Sequence, residues 1–288
     1  MATYTAARQW HVGNWGRLLQ RFLLYVVVTI GGIIFVVPFY WMIRTSVMPA
    51  WQIYIFPPEW IPAELHFENF LAPFAVFPFG RWFINSFIVA GLGTLGTVIS
   101  CAIVAFSFAR LRMPYKDVLF VIVLTTMILP ETVRLVPTYL LFAKLGWVDT
   151  FKPLIVPNWF APAFHVFLLR QFFLTIPKEL DDAALIDGCN PIGLLFRIHL
   201  PLSTPALGVV AIFHFTFTWN DFLYPLIYLN SINKLTVSLG LRLFQGQLAL
   251  RMQVLMSASL LVVLPTIIVF FIAQRYFVQG IVISGVKG

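Results

Sequence analysis

A run of 28 residues without any acidic, basic or histidine side chain, residues 82–109, restricts the possible fold more than any other feature. As an α-helix it would be roughly 42 Å long at about 1.5 Å per residue, which exceeds the ~30 Å hydrocarbon core of a bilayer. Only 10% of the residues are charged, against roughly 25% in soluble domains. The chain has too few charges to cover a water-facing surface, and we predict an integral membrane protein.

Five further stretches are apolar and nearly free of charge. We therefore predict an all-α integral membrane fold with about six transmembrane helices, N-in/C-in, in a single domain over residues 1–288. The third stretch is the shortest, because its uncharged part, 118–130, meets Glu131 and Arg134. The predicted spans lie near residues 22–43, 82–109, 118–138, 153–173, 204–229 and 253–274.

The first span and the loop charges indicate the orientation. Arg8, Arg17 and Arg21 precede the first span, which is longer than a signal-peptide core and has no small-residue cleavage site after it. We interpret it as a retained span. With a cytosolic N-terminus, 11 Lys and Arg residues lie inside and 8 outside, the direction of the positive-inside rule.

Residues 91–96 spell G-x-G-x-x-G, and Asp117 follows about 20 residues later, as in a dinucleotide-binding site. That motif requires a preceding strand, whereas these glycines lie inside an apolar span. Small residues there allow helices to approach closely. We interpret the glycines as packing residues.

Motifs for chemistry on nucleotides, zinc or acyl groups are absent from the sequence: it has no G-x-x-x-x-G-K-[ST], H-E-x-x-H or G-x-S-x-G. The histidines are scattered, and Cys101 lies in an apolar run while Cys189 lies in a polar loop. We predict that the chain is not an enzyme and holds no metal, cofactor or disulfide. We assign its net charge of +8 to loops facing anionic lipid rather than nucleic acid.

Residues 176–203, between the fourth and fifth spans, predict a helix-turn-helix outside the membrane. Pro177 suits the first position of a helix, and Gly188 suits its left-handed end. Asn190 can cap a second helix, which we expect Leu200–Pro201 to end. Acidic residues concentrate in the first turns, where the helix dipole favours negative charge, at Glu179, Asp181 and Asp182.

The first of these helices has a narrow apolar stripe of Leu180, Ala183 and Ala184. Such a stripe favours docking into the groove of another protein. The alternative is an amphipathic segment on the membrane surface, but those carry a basic face opposite large apolar side chains.

The same stretch resembles the EAA loop of the membrane subunits of ABC importers. The resemblance rests on Asp182-Ala183-Ala184, three residues, Gly188, nine residues, Ile198, one residue, and Leu200-Pro201. The family pattern has Glu where this chain has Asp182. The shorter side chain slightly weakens any contact carried over from the family.

Other segments resemble the carbohydrate-type importer permeases, closest to the second permease of maltose-type and glycerol-3-phosphate-type systems. Residues 217–226, Phe-Thr-Trp-Asn-Asp-Phe-Leu-Tyr-Pro-Leu, resemble a stretch of the fifth span of that family. The resemblance covers nearly the whole chain, and the smaller matches are Arg44-Thr45-Ser46, Asn85-Ser86, residues 274–280 and residues 285–288.

The resemblance implies the partners of the chain. It would pair with a homologous second permease, two ATPase subunits would bind ATP and Mg, and an external solute-binding protein would deliver the solute. The complex would lie in the inner membrane of a bacterial or archaeal cell, in contact with lipid, with both termini cytoplasmic. The residues implied in ATPase docking are Glu179, Leu180, Asp181, Asp182, Ala183, Ala184, Gly188, Ile198, Leu200 and Pro201.

Asp221 lies near the end of the fifth span, roughly 26 Å along a helix that starts at Thr204. A carboxylate at that depth costs on the order of 3 kcal/mol unless it faces a cavity or a partner. We expect it to belong to the translocation path or gate, together with Asn85, Trp219 and Asn220. A hydrogen-bonded tie between helices is the alternative.

The sequence thus predicts a permease subunit of an ATP-driven, binding-protein-dependent importer of a carbohydrate. One alternative solute is a phosphorylated polyol such as glycerol 3-phosphate. A different class, a secondary transporter subunit, would carry ionisable residues near the middle of several spans, whereas Asp221 is almost alone.

Overall fold

The computed structural model describes residues 14–247 and 251–284, and helices and turns account for these residues without a β-strand. The all-helical prediction is confirmed for this part of the chain. Residues 285–288, which contributed to the family resemblance, lie outside it. The helices are α1 (Asn14–Val47), α2 (Ala50–Ile53), α3 (Ala72–Val76), α4 (Phe79–Arg110), α5 (Lys116–Thr125), α6 (Glu131–Lys144), α7 (Lys152–Ile155), α8 (Ala163–Thr175), α9 (Lys178–Ile186), α10 (Pro191–Leu194), α11 (Leu200–Leu202), α12 (Thr204–Asn220), α13 (Leu223–Tyr228), α14 (Val237–Gln247) and α15 (Met252–Ser284).

Within the described residues, three helices are each long and apolar enough to cross a membrane: α1, α4 and α15. They contain the predicted spans 22–43, 82–109 and 253–274. Two further pairs of helices would qualify if each bent pair is one span, which raises the number to five. The pairs are Lys152–Thr175 with Lys178–Ile186, bent by 76°, and Pro191–Leu202 with Thr204–Asn220, bent by 78°.

The third predicted span, 118–138, is not one continuous helix. Helix α5 ends at Thr125, and α6 begins only at Glu131. Pro130 between them has an extended backbone, with φ −58° and ψ 137°. A proline disfavours helix in the residue before it and cannot donate to the preceding turn.

The fourth and fifth predicted spans are also interrupted. Within 153–173, a 3₁₀ turn at Val156–Trp159 precedes α8, which starts after the extended Pro162. Within 204–229, α12 ends at Asn220 and the extended Asp221 separates it from α13. Prolines explain the first break, since Pro157 and Pro162 both lack a backbone N–H.

Helix α4 is the central element and packs against α8 and α12, while α12 packs against α15 and α15 against α1. Its glycines permit close contact: an added Cβ at Gly93 would lie 2.9 Å from Asn158 Nδ2, and one at Gly96 would overlap the Trp159 ring. The packing interpretation is confirmed for both positions, whereas Gly91 faces open space.

The two ends of α4 define two ends of the bundle. Arg110 at its C-terminus contacts residues of the 176–203 segment, so we call that the loop end. Asn85, the seventh residue of α4, donates hydrogen bonds of 2.9 Å to the carbonyls of Asn233 and Leu235, which mark the opposite end. Each end has its own apolar core, around Trp82 and Phe244 at the opposite end and around Phe106 and Phe173 at the loop end.

Candidate functional site: the loop and the central cavity

Residues 176–203 form the predicted helix-turn-helix. Gly188 has φ +80°, the left-handed conformation expected of it. The Asn190 side chain accepts a 2.7 Å hydrogen bond from the Gly193 N–H and caps α10. Pro177 is extended and precedes the helix, which starts at Lys178. The prediction was one residue early, because Pro177 caps the helix instead of entering it.

The second helix of the loop does not end at Leu200–Pro201 as predicted. It runs from α10 through a π-turn, Leu195–His199, into α11, which ends at Leu202. A π-turn changes the hydrogen-bond register by one residue. The chain therefore stays helical through a proline that would otherwise interrupt an α-helical ladder.

The ten residues assigned to docking divide between two faces. Asp181 and Ala184 are buried against the transmembrane helices, and Ile198 and Leu200 are half-buried. The remaining six are exposed: Glu179, Leu180, Asp182, Ala183, Gly188 and Pro201. The outer face also carries large apolar side chains that sequence reasoning did not assign to docking, at Leu185, Ile186, Ile192 and Phe196.

The inner face of the loop is held by a buried polar cluster. Asp181 Oδ1 lies 2.7 Å from His199 Nε2, and Asp181 Oδ2 lies 3.2 Å from the Arg110 guanidinium. The same guanidinium donates to the carbonyl of Phe173, at 2.5 Å, and to that of Ile176. Sequence reasoning missed Arg110 and His199, although a cation directly after an uncharged run of 28 residues was a visible signal.

His199 is fully buried, and its Nδ1 has no hydrogen-bond partner among the described residues. Burial lowers the pKa of His199 and outweighs the hydrogen bond to Asp181, which raises it. A neutral ring with its proton on Nε2 donates to Asp181 and leaves Nδ1 as a bare acceptor. The cluster thus pairs one cation, Arg110, with one anion, Asp181.

A cavity of about 1020 Å³ lies between α6, α8, α12 and α13. A second concavity of about 1000 Å³ adjoins it and shares Glu131 and Asp221. Among the described residues, the charged side chains that line the larger cavity are Glu131, Arg134 and Asp221. Its other polar lining residues are Thr126, Thr138, Asn158, His165, His214, Thr218, Tyr224 and Tyr228.

The break in the fifth span positions Asp221 in this cavity. Helix α12 ends one residue earlier, and Asp221 Oδ1 accepts a hydrogen bond of 3.3 Å from the Tyr224 N–H at the start of α13. Pro225 has no N–H with which to continue the helical ladder. The interruption therefore leaves a carboxylate beside polar groups and open space.

The four residues assigned to the path are not all beside the cavity. Asp221 lines both concavities and Asn220 lines the smaller one. Trp219 is buried and donates a 3.0 Å hydrogen bond to the Val262 carbonyl of α15. Asn85 is buried and donates to the carbonyls of Asn233 and Leu235 in the connection between α13 and α14. Neither Trp219 nor Asn85 lines the two concavities.

Sequence reasoning did not assign several residues of the cavity wall. Glu131 and Arg134 were visible as charges that interrupt an apolar run. His165 and His214, whose rings lie 5.4 Å apart, are on different helices, and only the folded chain brings them together.

Comparison with known proteins agrees with this architecture. The chain is 34% identical over 208 residues to the arabinooligosaccharides transport system permease protein AraQ of Bacillus subtilis, covering 72% of this chain and 74% of that protein. It is 32% identical over 277 residues to the sn-glycerol-3-phosphate transport system permease protein UgpE of Brucella abortus, covering 92% and 97%.

A solved structure supports the fold. A chain of a bacterial ABC transporter involved in the import of the acidic polysaccharide alginate superposes with a TM-score of 0.81 at 20% identity, covering 92% of this chain and 98% of that one. The family of binding-protein-dependent transport system inner membrane components matches residues 101–283, well over half of the chain. The chain is therefore a multi-pass membrane protein that belongs to this family of transport permeases.

Proposed function

We propose that this chain is one of two permease subunits of an ATP-driven importer for a neutral carbohydrate. It forms half of the translocation path, two ATPase subunits dock from the cytosol, and an external binding protein delivers the solute. With the interrupted 118–138 stretch counted as a sixth span, this proposal places both termini and the loop end on the cytosolic side, where the ATPase subunits dock. The relatives named for arabinooligosaccharides and for sn-glycerol 3-phosphate support an importer of this kind.

The ionisable side chains of the cavity wall favour a neutral solute over an anionic one. Two acidic side chains, Glu131 and Asp221, line it against one guanidinium, Arg134, so acidic groups outnumber Arg and Lys in the described wall. Proteins recognise phosphate and carboxylate groups with clusters of Arg and Lys. A wall of amide, hydroxyl and tyrosine groups around two acids suits a neutral polyhydroxylated solute instead.

The exposed face of the loop supports docking of an ATPase subunit. Leu180, Ile186, Ile192 and Phe196 expose 42%, 87%, 68% and 58% of their surface. The acids Glu179 and Asp182 of the same segment are exposed as well. Protein interfaces combine apolar side chains at their core with polar and charged groups at their rim.

ATP chemistry belongs to the partner subunits in this proposal. The chain has no phosphate-binding loop, and its described residues hold no cluster of His, Cys, Asp and Glu that could bind a metal ion. The purified chain should therefore hydrolyse no ATP until ATPase subunits are added.

A phosphorylated polyol is the second candidate, favoured by the relative named for sn-glycerol 3-phosphate and by Arg134 in the cavity wall. The two are separated by thermal-shift measurements on the binding protein of the same system. Neutral oligosaccharides should raise its melting temperature and glycerol 3-phosphate should not. A shift with glycerol 3-phosphate alone would reverse the choice of solute.

A further inference from the structure

The polar cluster on the inner face of the loop is buried from solvent. The side chain of Arg110 is 4% exposed, that of Asp181 13% and that of His199 0%. A buried charge is strongly unfavourable unless it is paired and hydrogen-bonded. Separation of the loop from the bundle would leave Arg110 and Asp181 each without its counter-charge, so these contacts resist separation.

Arg110 connects three helices. It ends α4, its guanidinium donates to the carbonyls of Phe173 and Ile176 at the end of α8, and it pairs with Asp181 of α9. The planar guanidinium presents donors in fixed directions, which makes such a three-way contact geometrically specific. A lysine ammonium carries the same charge but lacks this planar, forked arrangement of N–H donors.

His199 extends the connection to the second half of the loop. Its Nε2 bonds to Asp181, and its ring packs edge-on against the rings of Phe106 of α4 and Phe173 of α8, at centroid distances of 5.0 and 5.6 Å. The ring lies in the π-turn, so both helical parts of the loop are tied to the same two transmembrane helices.

We propose that Arg110, Asp181 and His199 form a latch that makes the loop and the adjoining ends of α4 and α8 one rigid unit. The outer face of the loop is free to meet a partner while the latch holds its inner face. A displacement applied to the loop by an ATPase subunit is then passed to the transmembrane helices. The three are positioning residues for transport, and the inference rests on the proposed docking of that subunit.

The direct test is a distance between spin labels in the complete complex, with and without ATP. The labels replace Asp187, an exposed residue that follows α9, and Ile103, which is 45% exposed on α4. The native cysteines are first replaced by Cys101→Ala and Cys189→Ser. The latch predicts that this distance is the same in the nucleotide-free and ATP-bound complexes.

The matched variants remove one carboxylate charge each at the loop end. Asp181→Asn removes the charge of the buried carboxylate. Asp117→Asn removes the charge of an exposed carboxylate: the Asp117 side chain is 88% exposed, and the Arg170 guanidinium lies at the long distance of 4.0 Å from it. With Asp181→Asn the distance should change on ATP binding and transport should fall about tenfold, within the usual range of coupling between linked sites. ATP hydrolysis by the assembled complex should continue, and Asp117→Asn should behave as the wild type does.

Two outcomes would overturn the latch: a distance that changes on ATP binding in the wild type, or one that stays constant in Asp181→Asn with transport intact. The distance measured in the wild type tests the latch even if the Asp181→Asn complex does not assemble. Arg110→Lys, which keeps the charge but loses the fork, should give an intermediate loss of transport. Failure of the proposed function is distinguishable, because it would appear as absence of ATPase binding or of carbohydrate uptake in the wild type itself.

Discussion

Gly240 of α14 lies against the ring of Trp82, and an added Cβ would overlap that ring. Trp82 cannot move aside, because it is fully buried, donates a 2.6 Å hydrogen bond to the Ile232 carbonyl and packs against Phe244. Gly240→Ala should therefore lower the free energy of unfolding by about 1–3 kcal/mol, the usual cost of overpacking. Thermal denaturation of the purified chain in detergent measures this loss.

The control for this variant is in the same helix. Gly246 has open space around an added Cβ, so Gly246→Ala should leave the melting temperature unchanged or raise it, since Ala favours a helix over Gly by about 0.5–1 kcal/mol. An equal loss of melting temperature in both variants would show that α14 is sensitive to any substitution and not specifically to contact with Trp82.

Asp149 fixes the connections at the end of the bundle opposite the loop. Its carboxylate accepts hydrogen bonds from the backbone of Asn230 and Ser231, at 3.0 and 2.9 Å, and from Lys234 Nζ at 2.8 Å. The Lys234 ammonium, followed by Ser231, lowers the pKa of Asp149 well below its usual range. A carboxyl group with a lowered pKa stabilises the fold above its unfolded pKa of about 4, and this contribution is lost as pH falls through the lowered value.

Asp149→Asn should therefore lower the melting temperature at pH 7, because it weakens charge-assisted hydrogen bonds worth about 1–3 kcal/mol. The difference between variant and wild type should shrink as the pH is lowered below about 4. Melting curves over that pH range provide the measurement. A difference that is independent of pH would contradict the role of the carboxylate charge.

At the scale of elements, the loop was the part best predicted from sequence. Gly188 and Asn190 act through their own backbone and nearest neighbours. Such local features can be predicted from the sequence without knowledge of the tertiary structure. The long apolar helices were readable for the same reason. The helix breaks at Pro130 and Asp221 were not predicted, because hydropathy reports the apolar character of a segment and not whether its helix is continuous.

The tertiary contacts could not be derived in this way. Arg110 and Asp181 are 71 positions apart in the sequence, and nothing in either local pattern indicates that they pair. Periodicity gave one apolar stripe, but only Ala184 of that stripe packs against the transmembrane bundle, whereas Leu180 and Ala183 are exposed. The inward and outward faces of the loop were consequently taken as one surface.

The docking of the loop as an element is tested through Cys189, which is half-buried and directly follows Gly188. A bulky maleimide should modify Cys189 slowly in the full complex and quickly without ATPase subunits, because a docked loop excludes the reagent. Cys101 is fully buried and should stay unmodified in both cases. Equal rates with and without ATPase subunits would count against this surface as the dock.

Gly188→Val should abolish that protection and lower transport, because φ is +80° at this position and a β-branched side chain is strained there. An added Cβ meets no neighbour at Gly188, so the effect is conformational rather than steric. Gly188→Asn is the control, since Asn tolerates the left-handed conformation and should retain protection.

At the scale of the whole molecule, the cavity and the loop occupy different levels of one bundle and are joined through α8 and α12. Asp221→Asn alters the cavity alone, because it removes the charge and keeps the size and the backbone cap at Tyr224. Transport should fall while assembly with the ATPase subunits survives. Solute uptake and co-purification measured on the same preparation separate these effects, and loss of the complex itself would favour a structural tie.

The central claim is that this permease imports a neutral carbohydrate at the expense of ATP hydrolysed by partner subunits. Its most direct test is uptake of a radiolabelled oligosaccharide into proteoliposomes that contain both permeases and the ATPase subunits, with the binding protein on the side from which the solute enters. Uptake should require both ATP and the binding protein, and excess glycerol 3-phosphate should not compete. Uptake driven by a proton or sodium gradient without ATPase subunits, or ATP hydrolysis by the isolated chain, would contradict the account.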